Sequence, residues 1–197
     1  LKETFFGEQS YEALNQAAST IAAGCDGLMW APYLLGERTP HLDPGARGTW
    51  FGLTAAHTRG HLIRSILEGV AFSLRDSLEI FRELKIPVEQ IRASGGGSRS
   101  PLWRQIQADI YGKEIVTLTE SEGSAFGAAL LAGVGGKVYG SVEESAEAAI
   151  HVREHVVPDP KRAAVYEHLY QVYRSLYPAT RDLAHRLADL ESESAAG

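Results

Sequence analysis

The chain has 197 residues, 44% of them hydrophobic, with 19 basic and 25 acidic side chains and a formal net charge of −6. That length allows one domain, with or without a tail, around a large core, and the mild acidity disfavours nonspecific nucleic-acid binding and an anionic membrane surface. Cys25 is the single cysteine of the sequence, which excludes a disulfide framework and a cysteine metal cage and fits a reducing cytoplasm, while no apolar run is long enough to cross a bilayer.

The opening LKETFFGEQS is neither a signal peptide nor a start, and reads as cut from something longer. Residues 11–23 carry small and apolar side chains at helical spacing. Residues 28–35 form a compact apolar run, predicted to be a buried strand. The stretch 36–48 is dense in Gly, Pro and Asp and reads as loop. A second strand is predicted over 49–53, then a long helix over 57–84. Ile63, Leu67, Val70, Leu74, Leu78 and Phe81 form one apolar stripe on that helix. Arg64, Arg75, Arg82 and Glu83 lie mostly off the stripe, and Asp76 and Glu79 read as outward-facing surface charge. A short strand over 90–94 runs into Gly95-Gly96-Gly97. Ser100 then reads as a helix N-cap followed by Pro101 at the first helical position, with the helix running to Tyr111 and stopping at Gly112. A strand over 114–118, a small-residue helix over 124–132 and a short helix over 141–149 follow. Residues 151–160 read as an extended linker and 161–190 as a long helix kinked at Pro178. The last residues, 191–197, read as a polar, disordered tail to a domain spanning 1–190. Strands and helices alternating after a hairpin imply a mixed central sheet with helices on both faces.

The glycine cluster is the main chemical candidate. A strand, three glycines and a Ser-capped helix can hold phosphate or adenosine, because glycine admits close backbone approach and a helix N-terminus presents free N–H groups. Taken alone the pattern is weak, since a strand-to-helix turn needs glycine for positive φ whether or not it binds anything. GGGSRS has neither the Walker A lysine nor the Rossmann spacing. His151 and His155 sit in the predicted linker and read as solvated rather than metal-ligating. Tyr166, Tyr170, Tyr173 and Tyr177 recur at helical spacing, which points to packing. Asp43, in a proline-flanked turn, suits an Asx-turn role, and Cys25 reads as a buried structural thiol. No Ser/His/Asp set stands out, and no residue of the chain advertises a catalytic base.

Four segments together resemble the FGGY family of sugar kinases. Gly48-Thr-Trp-Phe-Gly52-Leu53, seven residues, His61-Leu62, two residues and Ser65-Ile66-Leu67-Glu68 resembles the second signature of the family. Tyr33-Leu-Leu-Gly-Glu37-Arg38-Thr39-Pro40-His41, followed by Asp43-Pro44-Gly-Ala-Arg47-Gly48, is similar to its xylulokinase branch. Ala93-Ser-Gly-Gly-Gly97-Ser-Arg-Ser100-Pro101-Leu-Trp103 resembles the adenosine motif, and Glu122-Gly123-Ser-Ala125-Phe-Gly127-Ala128-Ala129 resembles the small-residue helix behind the nucleotide. The resemblance covers roughly residues 5–175.

The resemblance implies an actin-like, ribonuclease-H-like domain that binds ATP with Mg²⁺, as the C-terminal half of a two-domain kinase, here incomplete at its N-terminal hairpin. It places Gly95, Gly96, Gly97, Ser98 and Ser100 at the nucleotide. Ser100 stands where some relatives have Asn, and capping alone accounts for it equally well. Arg47 and Gly48 fall either near the phosphates or, for Arg47, in a structural role. The implied reaction moves the γ-phosphoryl group of ATP to a ketose hydroxyl, giving xylulose 5-phosphate, with gluconate, ribulose, erythritol and glycerol as rival substrates. The implied base, an Asp, and most sugar contacts lie outside this chain, so the chain alone is expected to be inactive. A cytoplasmic homodimer is the implied setting, with the 28–35 strand exposing an apolar edge. A non-catalytic actin-like nucleotide-binding module is the alternative from a different class.

Overall fold

The computed structural model describes residues 2–119 and 123–196, with side chains up to Glu191. Seven α-helices and five strands are described. Helix α1 (Lys2–Phe6) and helix α2 (Tyr11–Ser19) precede an antiparallel pair, β1 (Met29–Ala31) and β2 (Thr49–Phe51), in which Trp30 stands opposite Trp50. Both strands are shorter than the sequence predicts. The excursion between them, 36–48, is a loop closed on itself by reciprocal backbone bonds between Glu37 and Asp43 at 2.8 and 2.7 Å.

Helix α3 (Arg59–Glu83) is the spine of the molecule. It starts at Thr58, whose N–H donates to Nδ1 of His61 at 3.1 Å, so that an imidazole takes the part usually played by Glu in a capping box. Its end is a Schellman turn: Lys85 is left-handed, the Lys85 N–H donates to Arg82 O and the Ile86 N–H to Phe81 O. Gly69 is where α3 crosses β1. A Cβ there would sit 2.0 Å from Trp30 O, so the crossing requires glycine.

A second sheet follows. Strand β3 (Ile91–Ala93) pairs parallel to β4 (Ile115–Leu118), the two joined by helix α4 (Pro101–Tyr111). Ser100 caps α4 through its hydroxyl, which accepts from Trp103 N at 3.2 Å, and Gly112 stops it at φ 61°, as the sequence predicts. Strand β5 (Val152–Val156) pairs antiparallel to β4 where a linker is expected. It is almost wholly exposed, so no buried alternation marks it in the sequence. Between β4 and β5 lie α5 (Gly123–Gly135) and α6 (Val142–Ala149). The architecture is mixed α/β, with its strands in two small sheets of two and three strands among the described residues. Glu122, the first residue of the small-residue motif, lies outside them.

Helix α7 (Pro160–Ala196) closes the core and includes most of the stretch read as a tail. It continues through Pro178, where a kink is expected. Tyr166, Tyr170, Tyr173 and Leu176 pack with Met29, Ala71, Phe72, Ile106 and Ile110 into the main cluster, so the tyrosine stripe is packing, as its spacing predicts. Phe72 meets three of these rings at centroid distances of 5.2–6.0 Å.

The buried face of α3 differs from the predicted stripe. Arg64 is 5% exposed and Asp76 8%, and Glu68 and Arg75 are buried too, whereas Leu74 and Phe81 are exposed. The reason is that α7 offers hydroxyls and carboxylates. Tyr166 OH and Arg64 Nε both donate to Glu68 Oε1, at 2.6 and 2.7 Å. Tyr170 OH donates to Asp76 Oδ1 at 2.6 Å. Arg75 reaches Glu79, Glu167 and the Ile110 carbonyl, and its guanidinium lies 4.0 Å from the Tyr170 ring centroid. Asp76 is therefore not surface charge, and Glu79 is held in the Arg75 pair at 3.2 Å. Burial pushes the Tyr166, Tyr170 and Tyr173 hydroxyls well above the ordinary tyrosine range, which keeps them protonated as donors.

Candidate functional site

The glycine turn follows β3 directly. Gly95 has φ 77°, a left-handed conformation that favours glycine, and Gly96–Arg99 form one turn of 3₁₀ helix before the Ser100 cap. The carbonyls of this turn are drawn inward. Gly95 O accepts from Ser98 N at 3.2 Å and from the Ser98 hydroxyl at 2.7 Å, Gly97 O accepts from Ser100 N at 3.1 Å, and Ser98 O accepts from Arg104 Nη1. The amides of Gly96 and Gly97 open the 3₁₀ turn, where an N–H has no intrahelical acceptor. All three glycines are exposed. A Cβ built on Gly95 or Gly96 meets nothing within 4 Å, and one on Gly97 only touches the Trp103 ring at 3.4 Å. Packing therefore does not account for Gly96: the space in front of it is open.

Gly95, Gly96, Gly97, Ser98 and Ser100 are thus one contiguous feature. Arg47 and Gly48 end the 36–48 loop. Arg47 Nη1 donates to the carbonyls of Pro44, Gly45 and Ala46 at 3.2–3.3 Å, and Nη2 donates to Glu191 on α7 at 3.3 Å. A Cβ on Gly48 would lie 2.7 Å from Leu34 Cδ2 and 3.0 Å from the Trp30 ring. Among the described residues, no hydrogen bond or ion pair joins either residue to the glycine turn. The same loop is clamped by Asp43, which accepts from Gly45 N at 2.8 Å, Tyr177 OH at 2.9 Å and His185 Nε2 at 2.8 Å. The Gly45 bond is the Asx turn predicted for Asp43.

A cavity of about 400 Å³ lies between this loop, α3 and α7, with Tyr33, His41, Asp76, Glu79, Glu83 and Arg174 in its wall. Three carboxyl groups against one guanidinium disfavour a phosphate there. The glycine turn, with its Gly95, Gly97 and Ser98 carbonyls already engaged and no carboxylate among its own residues, is the better place for an anion. No group of three or more His, Cys, Asp or Glu side chains is placed to hold a metal among the described residues. Cys25 is fully buried and its thiol is pushed far up by burial, so it is structural.

The family profile described as the C-terminal domain of the FGGY family of carbohydrate kinases matches residues 3–136. The chain is 40% identical over 182 residues to the xylulose kinase of Bacillus subtilis strain 168, covering 92% of this chain and 36% of that protein. It is 41% identical over 129 residues to the gluconokinase of the same organism, covering 65% and 25% of the two chains. The crystal structure of ligand-bound xylulose kinase from Lactobacillus acidophilus superposes with a TM-score of 0.82 at 31% identity, over 91% of this chain and 36% of that one. The chain belongs to the FGGY carbohydrate kinases and has the actin-like ATPase fold of that family. It spans little more than a third of the length of the curated xylulose kinases it matches.

Proposed function

We propose that this chain is the nucleotide-binding part of an ATP-dependent xylulose kinase. The observation that carries the reading is 40% identity to a xylulose kinase across nearly the whole chain, together with an exposed glycine turn with open space in front of Gly95 and Gly96. In this reading the turn from Gly95 to Ser100 meets the nucleotide through its backbone. Phosphoryl transfer demands mainly positioning and charge neutralisation, which backbone amides can provide without a reactive side chain. The γ-phosphorus–oxygen bond of ATP breaks, a new bond forms to the xylulose hydroxyl, ADP leaves, and the hydroxyl proton passes to a base outside this chain. Mg²⁺, when bound with ATP, would supply charge neutralisation at the phosphates. No group of three or more His, Cys, Asp or Glu side chains among the described residues is placed to hold it. Arg47 and Gly48 serve to brace the 36–48 loop, a role supported by the four bonds of the Arg47 guanidinium.

The gluconokinase likeness supports a second substrate reading. An ATP-dependent phosphorylation assay on the gene product containing this chain separates them, with xylulose beside gluconate, ribulose, erythritol and glycerol. Selectivity for xylulose is expected, with no turnover by the 197-residue chain alone. Selectivity for gluconate replaces the substrate and keeps the kinase. Silence on every sugar overturns the enzyme reading in favour of a non-catalytic nucleotide-binding module. A homodimer in a cytoplasmic setting completes the proposal, and sedimentation of that gene product tests the dimer.

A further inference from the structure

Arg104 is a cation in an awkward place. It lies in the first turn and a half of α4, is 9% exposed, and its side chain leans back toward the helix N-terminus. The dipole of α4 puts partial positive charge at that end, so a guanidinium there is disfavoured by the helix itself. Its Nε is buried and has no hydrogen-bond partner among the described residues. A buried arginine so placed needs compensation, and it has two bonds: Nη2 donates to Glu154 Oε2 on β5 at 2.7 Å, and Nη1 donates to the carbonyl of Ser98 inside the glycine turn. Glu154 in turn stands opposite Thr117 of β4 in the sheet register.

We propose that Arg104, anchored by Glu154, is a positioning residue that orients the glycine turn for nucleotide binding. The argument rests on the nucleotide reading of that turn. A peptide unit has two faces, and an anion needs the N–H face. The Gly95 and Gly97 carbonyls are engaged within the turn and its cap, and the Ser98 carbonyl is engaged by Arg104. Without the guanidinium, the Ser98 peptide is free to rotate its carbonyl outward, and an outward oxygen opposes a phosphate. Glu154 holds the guanidinium in place and neutralises its charge. The edge strand β5 acquires a purpose by this account: it carries the carboxylate that locks the turn to the sheet.

The test uses the gene product containing this chain, with KM for ATP and for xylulose, and titration with a fluorescent ADP analogue. Arg104→Met keeps the stem and removes both bonds, and Glu154→Gln removes the anchoring charge from a half-exposed site. Gly96→Val puts a side chain into the open space before the turn. Arg104→Met is expected to raise the ATP KM and the analogue Kd about tenfold, and Glu154→Gln roughly threefold. The xylulose KM and kcat at saturating ATP stay unchanged, a split that a merely structural loss does not produce. Should both variants leave ATP affinity within about twofold while Gly96→Val abolishes it, the positioning role is overturned and the nucleotide site stands. Should Gly96→Val also leave ATP affinity intact, the nucleotide reading of the turn falls and this inference with it. If Arg104→Met does not fold, Glu154→Gln alone decides.

Discussion

At the scale of the residue, the carboxylates of this chain divide by environment, and the division gives opposite responses to pH. Glu68 Oε1 accepts from Arg64 Nε, Tyr166 OH and Gly24 N, at 2.7, 2.6 and 3.1 Å. Glu68→Ala takes the carboxylate from a buried guanidinium, leaving it the Tyr166 hydroxyl and the Ala18 and Ile21 carbonyls, and is expected to cost about 3–5 kcal/mol in urea unfolding. A loss below about 1 kcal/mol would show that these neutral partners suffice for the Arg64 cation. Burial alone pushes the Asp43 carboxyl up, but hydrogen bonds from His185, Tyr177 and Gly45 outweigh it and hold it below its ordinary value of 3.8. Its contribution to stability is therefore present above that value and lost as pH falls through the lower folded value. Asp76 is the reverse: burial raises it, so its ionisation weakens the fold as pH climbs past 3.8, fully so above the raised folded value. At pH 7, Asp43→Asn is expected to lower the urea midpoint and Asp76→Asn to leave it unchanged or raise it. A marked loss in Asp76→Asn would mean that its anion is needed.

At the scale of the element, caps were easier to read than faces. Ser100, Pro101 and Gly112 bound α4 as predicted because capping is local: donor, acceptor and turn all lie within a few residues. Ser100→Ala is expected to cost about 1 kcal/mol in thermal or urea unfolding, while Ser100→Asn, an equally good cap, leaves stability unchanged. Equal losses in both would mean that the hydroxyl does more than cap. The face of α3 was not legible. Asp76 reads as surface charge, and Arg64 and Arg75 lie off the apolar stripe, until Tyr166, Glu167 and Tyr170, some 90–100 residues away, are brought against this face. Strand β5 was missed for a related reason. VREHV has an exposed face on nearly every residue, and only its pairing with β4 makes it a strand. The glycine turn was legible as a turn, and the family resemblance is what makes it a candidate site. Its dependence on Arg104 was not, because Glu154 lies 50 residues further on.

At the scale of the whole molecule, the apolar surface is displaced from where the sequence put it. The run 28–35 is expected to expose an apolar edge, yet Met29, Trp30 and Ala31 are buried beneath α3 and β2. Leu34 and Leu35 instead project from the end of that run, Leu35 at 99% exposure. Helix α5 is hydrophobic all round, with no buried residue, and Leu131 stands out from it. The chain alone is expected to self-associate through these surfaces. Its weight-average sedimentation coefficient should rise with concentration, and Leu35→Lys with Leu131→Lys should flatten that rise. A concentration-independent monomer would count against it.

Helix α7 holds the molecule at several points along its length. It meets Asp109 through Arg162, Glu68 through Tyr166, Asp76 through Tyr170, Tyr33 through Tyr173, Asp43 through Tyr177 and His185, and Arg47 through Glu191. All of these partners leave the ribosome before α7 does. Until Tyr166 and Tyr170 emerge, the nascent chain carries an unfinished interior in which Arg64 lacks the Tyr166 hydroxyl, Arg75 lacks the Tyr170 ring and Phe72 lacks both rings. A ribosome stalled ahead of Tyr166 therefore displays apolar and charged surface that α7 would otherwise cover.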